Sequence, residues 1–277
     1  MGAIVLLQLI MSTNITEDLW TEKNCSDDCV AGERNFAGAV LREVDLDFKN
    51  LSHADFSGAD LIGVQLQASI LIETNFSGAN LRGADLLEAN LSGANLKRAN
   101  LKLAYLRRAS LSRARLEYAH LEQANLIEAD LREANLDSAL LFEALLRGAN
   151  LKDASLENAY LAGVDFSNAN LENAYLSPDS MNNANFSGAN LREASMDSVS
   201  SHHANFSGAN LTQICVYRCN FQGSIFKGAD LTDAHLDIAN LDGADLTEAN
   251  LTGAWDADVS NAILCNTIMP DGSVESN

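Results

Sequence analysis

The chain is poor in the residues that interrupt or staple ordinary folds. Two prolines serve 277 residues, and aromatics make up only 6% although 47% of the chain is apolar. An apolar half built mainly of Leu and Ala does not suit a conventional aromatic-rich core and directs attention to repeats. Positive charge is scarce: 18 Lys and Arg face 38 Asp and Glu, a net charge of −20. That balance disfavours direct contact with nucleic acid or anionic lipid, whose phosphates require Lys and Arg. The five cysteines (Cys25, Cys29, Cys215, Cys219 and Cys265) form no CxxC and, with the scattered histidines, no zinc spacing. A reducing compartment follows, the cytoplasm first, with the periplasm and the thylakoid lumen left open. Long apolar runs are missing as well. Ala3 to Met11 is apolar but falls short of the roughly 20 residues a membrane span needs and lacks a basic leader, so no stable membrane insertion is expected.

What the chain has instead is a period. From Phe36 to Leu251 every fifth residue is apolar, and Ser201 alone breaks the rule. Ala usually stands two positions earlier, with Asn or Asp between, as in Ala79-Asn80-Leu81, Ala84-Asp85-Leu86 and Ala94-Asn95-Leu96. A spacing of five does not sustain an amphipathic helix. Ala and Leu two apart, with a polar residue between, is strand alternation with both apolar side chains on one face. Three residues separate each Leu from the next Ala, so the chain must turn at every repeat. Apart from Gly2, Gly32 and Gly272, each glycine lies two after an apolar centre, for example Gly58, Gly78 and Gly83. That position wants positive φ, as in a type II turn. Glu88, Arg98 and Tyr118 at equivalent positions predict that some corners are of another type, and Pro178 forbids it at its own corner.

A second period fixes the number of sides. Phe replaces Leu at 36, 56 and 76, and again at 166, 186, 206 and 226, in steps of twenty. Four pentapeptides per coil give a four-sided solenoid. With coils about 4.8 Å apart, roughly eleven of them make a rod on the order of 50 Å long. Phe221 stacks one coil above Ser201, and its ring is expected to cover the space the serine leaves.

The A(N/D)LXX pattern is the signature of the pentapeptide-repeat family, and the chain is identified as resembling it over about four fifths of its length. The resemblance implies an all-β, right-handed quadrilateral β-helix. The expected organisation is 1–35 as an N-terminal lead-in and cap with a short helix, 36–254 as the solenoid, and 255–277 as a C-terminal cap and tail. Leu264-Cys265-Asn266-Thr267-Ile268-Met269-Pro270-Asp271-Gly272-Ser273 is similar to the closing phrase of many cyanobacterial members.

The coils from Ser177 to Asn220 are the least regular, with Asp179 at an Ala site and Met181, Met196 and Ser201 at Leu sites. Relaxed packing accounts for them more simply than a ligand notch, since solenoids tolerate local irregularity. Cys219 is expected to point inward and Cys215 outward. Lys97, Arg98, Lys102, Arg107, Arg108, Arg113 and Arg115 form a basic belt. Stacking at twenty residues pairs it with acids, as Glu88–Arg108–Glu128, Lys97–Glu117 and Arg113–Glu133. Near the end Asp230, Asp233, Asp237, Asp242, Asp245 and Glu248 are opposed only by Arg218 and Lys227, predicting a strongly negative surface.

No GxSxG, P-loop, GxGxxG or HExxH occurs, so neither an enzyme nor a metal or cofactor site is expected. One apolar patch breaks the outward-polar rule: Leu140, Phe142 and Tyr160 share a face, with Leu145 just round a corner and Tyr175 on the next coil side. Clustered exposed apolar groups mark an interface for a partner or a second copy. The leading reading is a non-enzymatic protein-interaction scaffold. The resemblance adds two alternatives: the family's acidic dimeric rods that mimic duplex DNA and bind DNA gyrase, and regulators of cell differentiation in filamentous cyanobacteria.

Overall fold

A computed structural model describes residues 34–178 and 180–276. The expected N-terminal cap over 1–35 lies, but for its last two residues, outside the described residues. Among the described residues no helix occurs.

One side of one coil shows the construction. Ala79 and Leu81 are fully buried, while Asn80 between them pairs in parallel with Asp60 below and Asn100 above. Leu81 N–H donates to Asn100 O at 2.7 Å, and Asn80 N–H to Ala59 O at 2.8 Å. The corner is a β-turn closed by Ala84 N–H to Leu81 O at 3.0 Å, with Gly83 at φ +65°. This unit repeats in ladders whose partners are twenty residues apart, from Asn35–Asp55 to His235–Trp255. The first side of the rod runs through Phe36 and Phe56, the second through Leu41 and Leu61, the third through Leu46 and Leu66, and the fourth through Leu51 and Leu71. Phe36, Phe56 and Phe76 stack face to face, as do Phe166, Phe186, Phe206 and Phe226, with centroids about 5 Å apart.

The corners differ from expectation. Positive φ is not confined to glycine: Glu88 (58°), Arg98 (58°) and Tyr118 (61°) adopt it, as does every equivalent position from 38 to 253 except Pro178. The inter-coil ladder is the reason. Each corner N–H except that of Ile238 is held by the coil above, as Glu88 N–H by Arg107 O at 3.0 Å and Arg98 N–H by Glu117 O at 2.9 Å. Those bonds and the buried Leu columns override the 1–2 kcal/mol that the left-handed region costs an L residue.

Outward Asn and Asp hold the sides together laterally. Asn185 Nδ2 donates to Asp165 Oδ1 at 3.0 Å, and Asn205 Nδ2 to Asn185 Oδ1 at 3.3 Å. The same Oδ1 of Asn185 accepts Ser187 N–H at 3.1 Å and pins the corner that follows.

Regularity relaxes along the first side. There the bridges lengthen into strands β1 (Tyr175–Leu176), β2 (Ser195–Asp197), β3 (Cys215–Tyr217) and β4 (His235–Asp237), all parallel and in sequential order. The corners after Met196 and Val216 lack the closing i→i+3 bond, whereas the corner after Leu236 keeps it through Ala239 N–H at 3.1 Å. Cys219 is buried and Cys215 exposed. Ser201 is fully buried, and the Phe221 ring packs edge-on against Phe206 and Phe226 at 5.8 and 5.4 Å.

Beyond Trp255 the chain makes a shortened coil: Ile263 pairs with Asp245 and Ile268 with Asn250, eighteen residues apart. A hairpin of β5 (Thr267–Ile268) and β6 (Val274–Glu275) follows. Thr267 Oγ1 donates to Leu246 O and accepts Cys265 N–H, and Ser276 Oγ accepts Asn266 N–H. Side chains thus satisfy edge groups that another chain could otherwise pair with.

Candidate functional site

The most pronounced departure from a polar wall is a groove along the corner between the first and second sides. Outward ladder positions normally carry Asn or Asp, but here they carry His120, Leu140 and Tyr160 in succession. Across the corner stand Tyr118, Ser138 and Asn158, each held at positive φ and so projecting beside the ladder position that follows. These six residues line a concavity of about 440 Å³. Outside the lining itself, Phe142 packs on Tyr160 with ring centroids 5.6 Å apart, tilted by 40°. Phe142 remains 39% exposed and Tyr160 36%, so two packed rings still offer much apolar surface to solvent.

The lower rim is charged. The Arg98 guanidinium lies 5.6 Å from the Tyr118 ring centre, and the Lys97 ammonium 6.0 Å. His120 faces Glu122 at 3.5 Å, while Glu117 is shared between Lys97 and Arg115. One oxygen of Glu117 and one of Glu122 are buried without a hydrogen-bond partner among the described residues.

Of the five residues expected to form one patch, the structure brings together Leu140, Phe142 and Tyr160. Leu145 is exposed on the third side, across the Glu143 corner, between Asn125 and Asp165 in its ladder. Tyr175 sits on β1 and lines a separate concavity of about 240 Å³ on the first side. Sequence reasoning missed Tyr118, His120, Ser138 and Asn158. Their signal was available: a corner residue and the ladder residue two positions later are neighbours across the bend.

The acids near the C-terminal end form a collar rather than a wall. Asp230 and Asp233 belong to the fourth side and its corner, Asp237 to the first side, Asp242 to the second, and Asp245 and Glu248 to the third side and its corner. Asp230 accepts Thr232 N–H and Oγ1–H, and Asp242 accepts Asn261 Nδ2–H.

Four of the seven belt residues, Lys97, Arg107, Arg108 and Arg115, reach a carboxylate. Arg108 bridges Glu88 at 3.6 Å and Glu128 at 2.6 Å, and Lys97 reaches Glu117 at 3.7 Å. Arg108 holds the Glu128 carboxyl below its ordinary range through hydrogen bonding and charge. The expected Arg113–Glu133 pair is not formed among the described residues.

Other chemistry-bearing residues are tied into structure. Asn220 Nδ2 donates to His202 Nε2 at 3.1 Å, while Nδ1 of the same ring meets Ser200 Oγ at 2.9 Å. Burial pushes the Cys219 thiol up to about 11, against an attacking thiolate. Among the described residues no cluster of three or more His, Cys, Asp or Glu is placed to hold a metal ion. No helix among them is long and apolar enough to cross a membrane.

The family described as pentapeptide repeats matches residues 35–177 in overlapping segments, then 180–213 and 217–253, as eight copies. Among solved structures, HetL, a pentapeptide repeat protein involved in heterocyst differentiation regulation in the cyanobacterium Nostoc sp. strain PCC 7120, is 36% identical. That alignment covers 88% of this chain and 95% of HetL, with a TM-score of 0.35. Rfr23 of the cyanobacterium Cyanothece 51142 is 31% identical over 48% of this chain and 86% of its own, with a TM-score of 0.26. Full-length QnrB1, a plasmid-mediated fluoroquinolone resistance protein, is 19% identical over 84% of this chain and 92% of its own, with a TM-score of 0.28. No curated protein matches the chain. With its repeats matched along most of its length and its side chains stacked at twenty residues on four sides, this right-handed quadrilateral β-helix belongs to the pentapeptide-repeat family.

Proposed function

We propose that the protein is a non-enzymatic interaction scaffold whose Tyr118–Tyr160 groove, with Phe142 packed on Tyr160 beside it, receives a protein partner. The observation that carries this reading is the packed, solvent-facing Phe142–Tyr160 pair at 5.6 Å on a rod whose outward positions are otherwise mostly polar. Exposed aromatic pairs beside a concavity are typical anchors of protein–protein contacts. A different protein fits this reading better than a second copy, because net charge of −20 on each rod opposes self-association. It offers an apolar side chain to the groove and an acidic group to Arg98 and Lys97 at the rim.

Imitation of duplex DNA toward DNA gyrase has less support. Its acids are spread over all four sides, and the basic belt interrupts them.

The test compares wild type with Phe142→Glu, and with Tyr105→Glu as a control at an exposed aromatic elsewhere, by light scattering and by crosslinked capture from the native organism. A heterologous partner lost with Phe142→Glu and retained with Tyr105→Glu is the expected result. Equal capture by all three proteins overturns the groove as the site. A homodimer of the wild type that Phe142→Glu dissolves would assign the groove to a second copy instead.

A further inference from the structure

Further along the rod, on the side carrying β1–β4, Tyr217 stands in register with Asp197 one coil below and Asp237 one coil above. The tyrosine is 40% exposed. Its ring already attracts a cation: the Arg218 guanidinium lies 4.8 Å from its centre. Beside this column runs a second one, in which Tyr175, Cys215 and His235 face outward and His235 stacks on Trp255 at 6.2 Å. Between the two columns is the shallow concavity of about 240 Å³, floored by Met196 and Val216.

The two carboxylates are not neutralised. Asp237 is half-buried, and its carboxylate has no hydrogen bond or ion pair among the described residues. Asp197 accepts only the Ser198 hydroxyl, at 2.7 Å. The bases nearby are engaged, Arg218 with the Tyr217 ring and Arg192 with Glu193 at 2.5 Å. Two carboxylates without an ion-pair partner, set either side of a ring that already draws the Arg218 guanidinium, attract a further guanidinium or ammonium group through charge-assisted hydrogen bonds. The column repels anions, and its polar flanks make it a poor seat for an aliphatic side chain.

We infer that the Asp197–Tyr217–Asp237 column is a docking site for an extended segment of a partner protein bearing arginine at positions i and i+3. Spacing sets the interval. Asp197 and Asp237 are two coils apart, about 9.6 Å, and one turn of a polyproline II segment, three residues at about 3.1 Å each, spans about 9.3 Å and returns side chains i and i+3 to the same face. A segment lying along the rod axis therefore presents one arginine to each carboxylate, with Tyr217 between them. Arginine suits the site better than lysine because its planar fork binds carboxylates in pairs and stacks on rings. This site is separate from the Tyr118–Tyr160 groove and does not depend on it.

The probe is a fluorescein-labelled peptide, Gly-Ser-Arg-Ser-Gly-Arg-Ser-Gly, titrated by anisotropy against the whole protein. A second peptide carries citrulline, a neutral isostere, at both arginine positions. Wild type binds the arginine peptide and not the citrulline peptide. The double variant Asp197→Asn/Asp237→Asn weakens binding by about tenfold or more. Asp242→Asn/Asp245→Asn removes the same charge from other sides and changes it by less than about twofold at physiological salt. Equal weakening by the two double variants, equal binding of the two peptides, or no binding by wild type each overturns the proposal. The citrulline comparison uses the unaltered protein, so it decides even where a variant folds poorly.

Discussion

Ser224 donates its hydroxyl to the carbonyl of Ser201, 2.5 Å away on the coil below and twenty-three residues earlier. The same device recurs where Thr74 Oγ1 meets Leu51 O at 2.9 Å, and at the end of the rod where Thr267 Oγ1 meets Leu246 O at 2.8 Å. A polar residue at a site usually filled by Ala is therefore tolerated inside the rod, because it finds a backbone acceptor one coil down. Ser201 itself has no such arrangement. Its carbonyl is engaged, but its buried hydroxyl has no partner among the described residues.

Two substitutions at Ser201 should move stability in opposite directions. Ser201→Ala removes an unsatisfied buried hydroxyl and should raise the thermal midpoint, by about 1 kcal/mol of stability. Ser201→Leu restores the repeat consensus but must fit beneath Phe221, whose ring is already set against Phe206 and Phe226. Overpacking should cost about 1–3 kcal/mol. Thermal unfolding followed by circular dichroism reads both. A stabilised leucine variant would show that Phe221 does not occupy that space.

Corner strain can be relieved one position at a time. Ala68 sits at φ +51°. Ala68→Gly should stabilise the rod by about 0.5–1 kcal/mol, the left-handed penalty less the flexibility glycine adds to the unfolded chain. Gly78→Ala, at φ +66° with open space around its would-be Cβ, should lose a similar amount. Denaturant melts of the two variants should bracket wild type, and a shift in the same direction for both would contradict the strain argument.

The lateral amide ladder makes Asn185 sensitive to charge. Asn185→Ala removes its links to Asp165, Asn205 and the Ser187 N–H, a loss of about 1–2 kcal/mol. Asn185→Asp keeps the acceptor but turns a donor toward Asp165 into a second carboxylate. It should therefore be worse than alanine at neutral pH and recover on acidification. Melting curves of both variants at two pH values test the crossover.

Acid sensitivity should be traceable to the Arg108 bridge. The folded protein holds Glu128 below its ordinary range through Arg108. A carboxyl depressed on folding contributes its stability above the unfolded value and loses it as pH falls through the folded one. The difference in melting temperature between wild type and Arg108→Gln should be small, because both partners are exposed, and largest near neutrality. It should begin to shrink as the pH drops below about 4 and vanish once Glu128 is protonated in the fold, and a difference that persists in strong acid would rule the bridge out as its source.

Much of the fold was legible because its information is periodic. Alternation around Leu41 to Leu251 sorts inward from outward, and the twenty-residue recurrence of Phe36, Phe56 and Phe76 counts the sides. Both are properties of backbone pleat and coil length, which no later packing event revises. The conformation of Glu88, Arg98 and Tyr118 was not legible, because residue preference at a corner is overridden by the N–H bond to the next coil. Nor was the absence of an Arg113–Glu133 pair. Stacking places two Cα atoms near each other, but long exposed side chains choose their own rotamers. The groove was half visible: Leu140, Phe142 and Tyr160 stand on one side, whereas Tyr118 joins them only across a bend.

A rod built in fives and closed in twenties separates two kinds of change. Gaining or losing twenty residues between Tyr118 and Arg218, which occupy equivalent corners, would slide the two binding regions by about 4.8 Å and leave them on the same edge. Gaining or losing five would swing one of them through a quarter turn and leave their separation nearly unchanged. Reach and bearing are thus independent variables in this architecture, adjustable without disturbing a single core contact elsewhere. A partner that spans both regions would feel the first change as stretch and the second as twist.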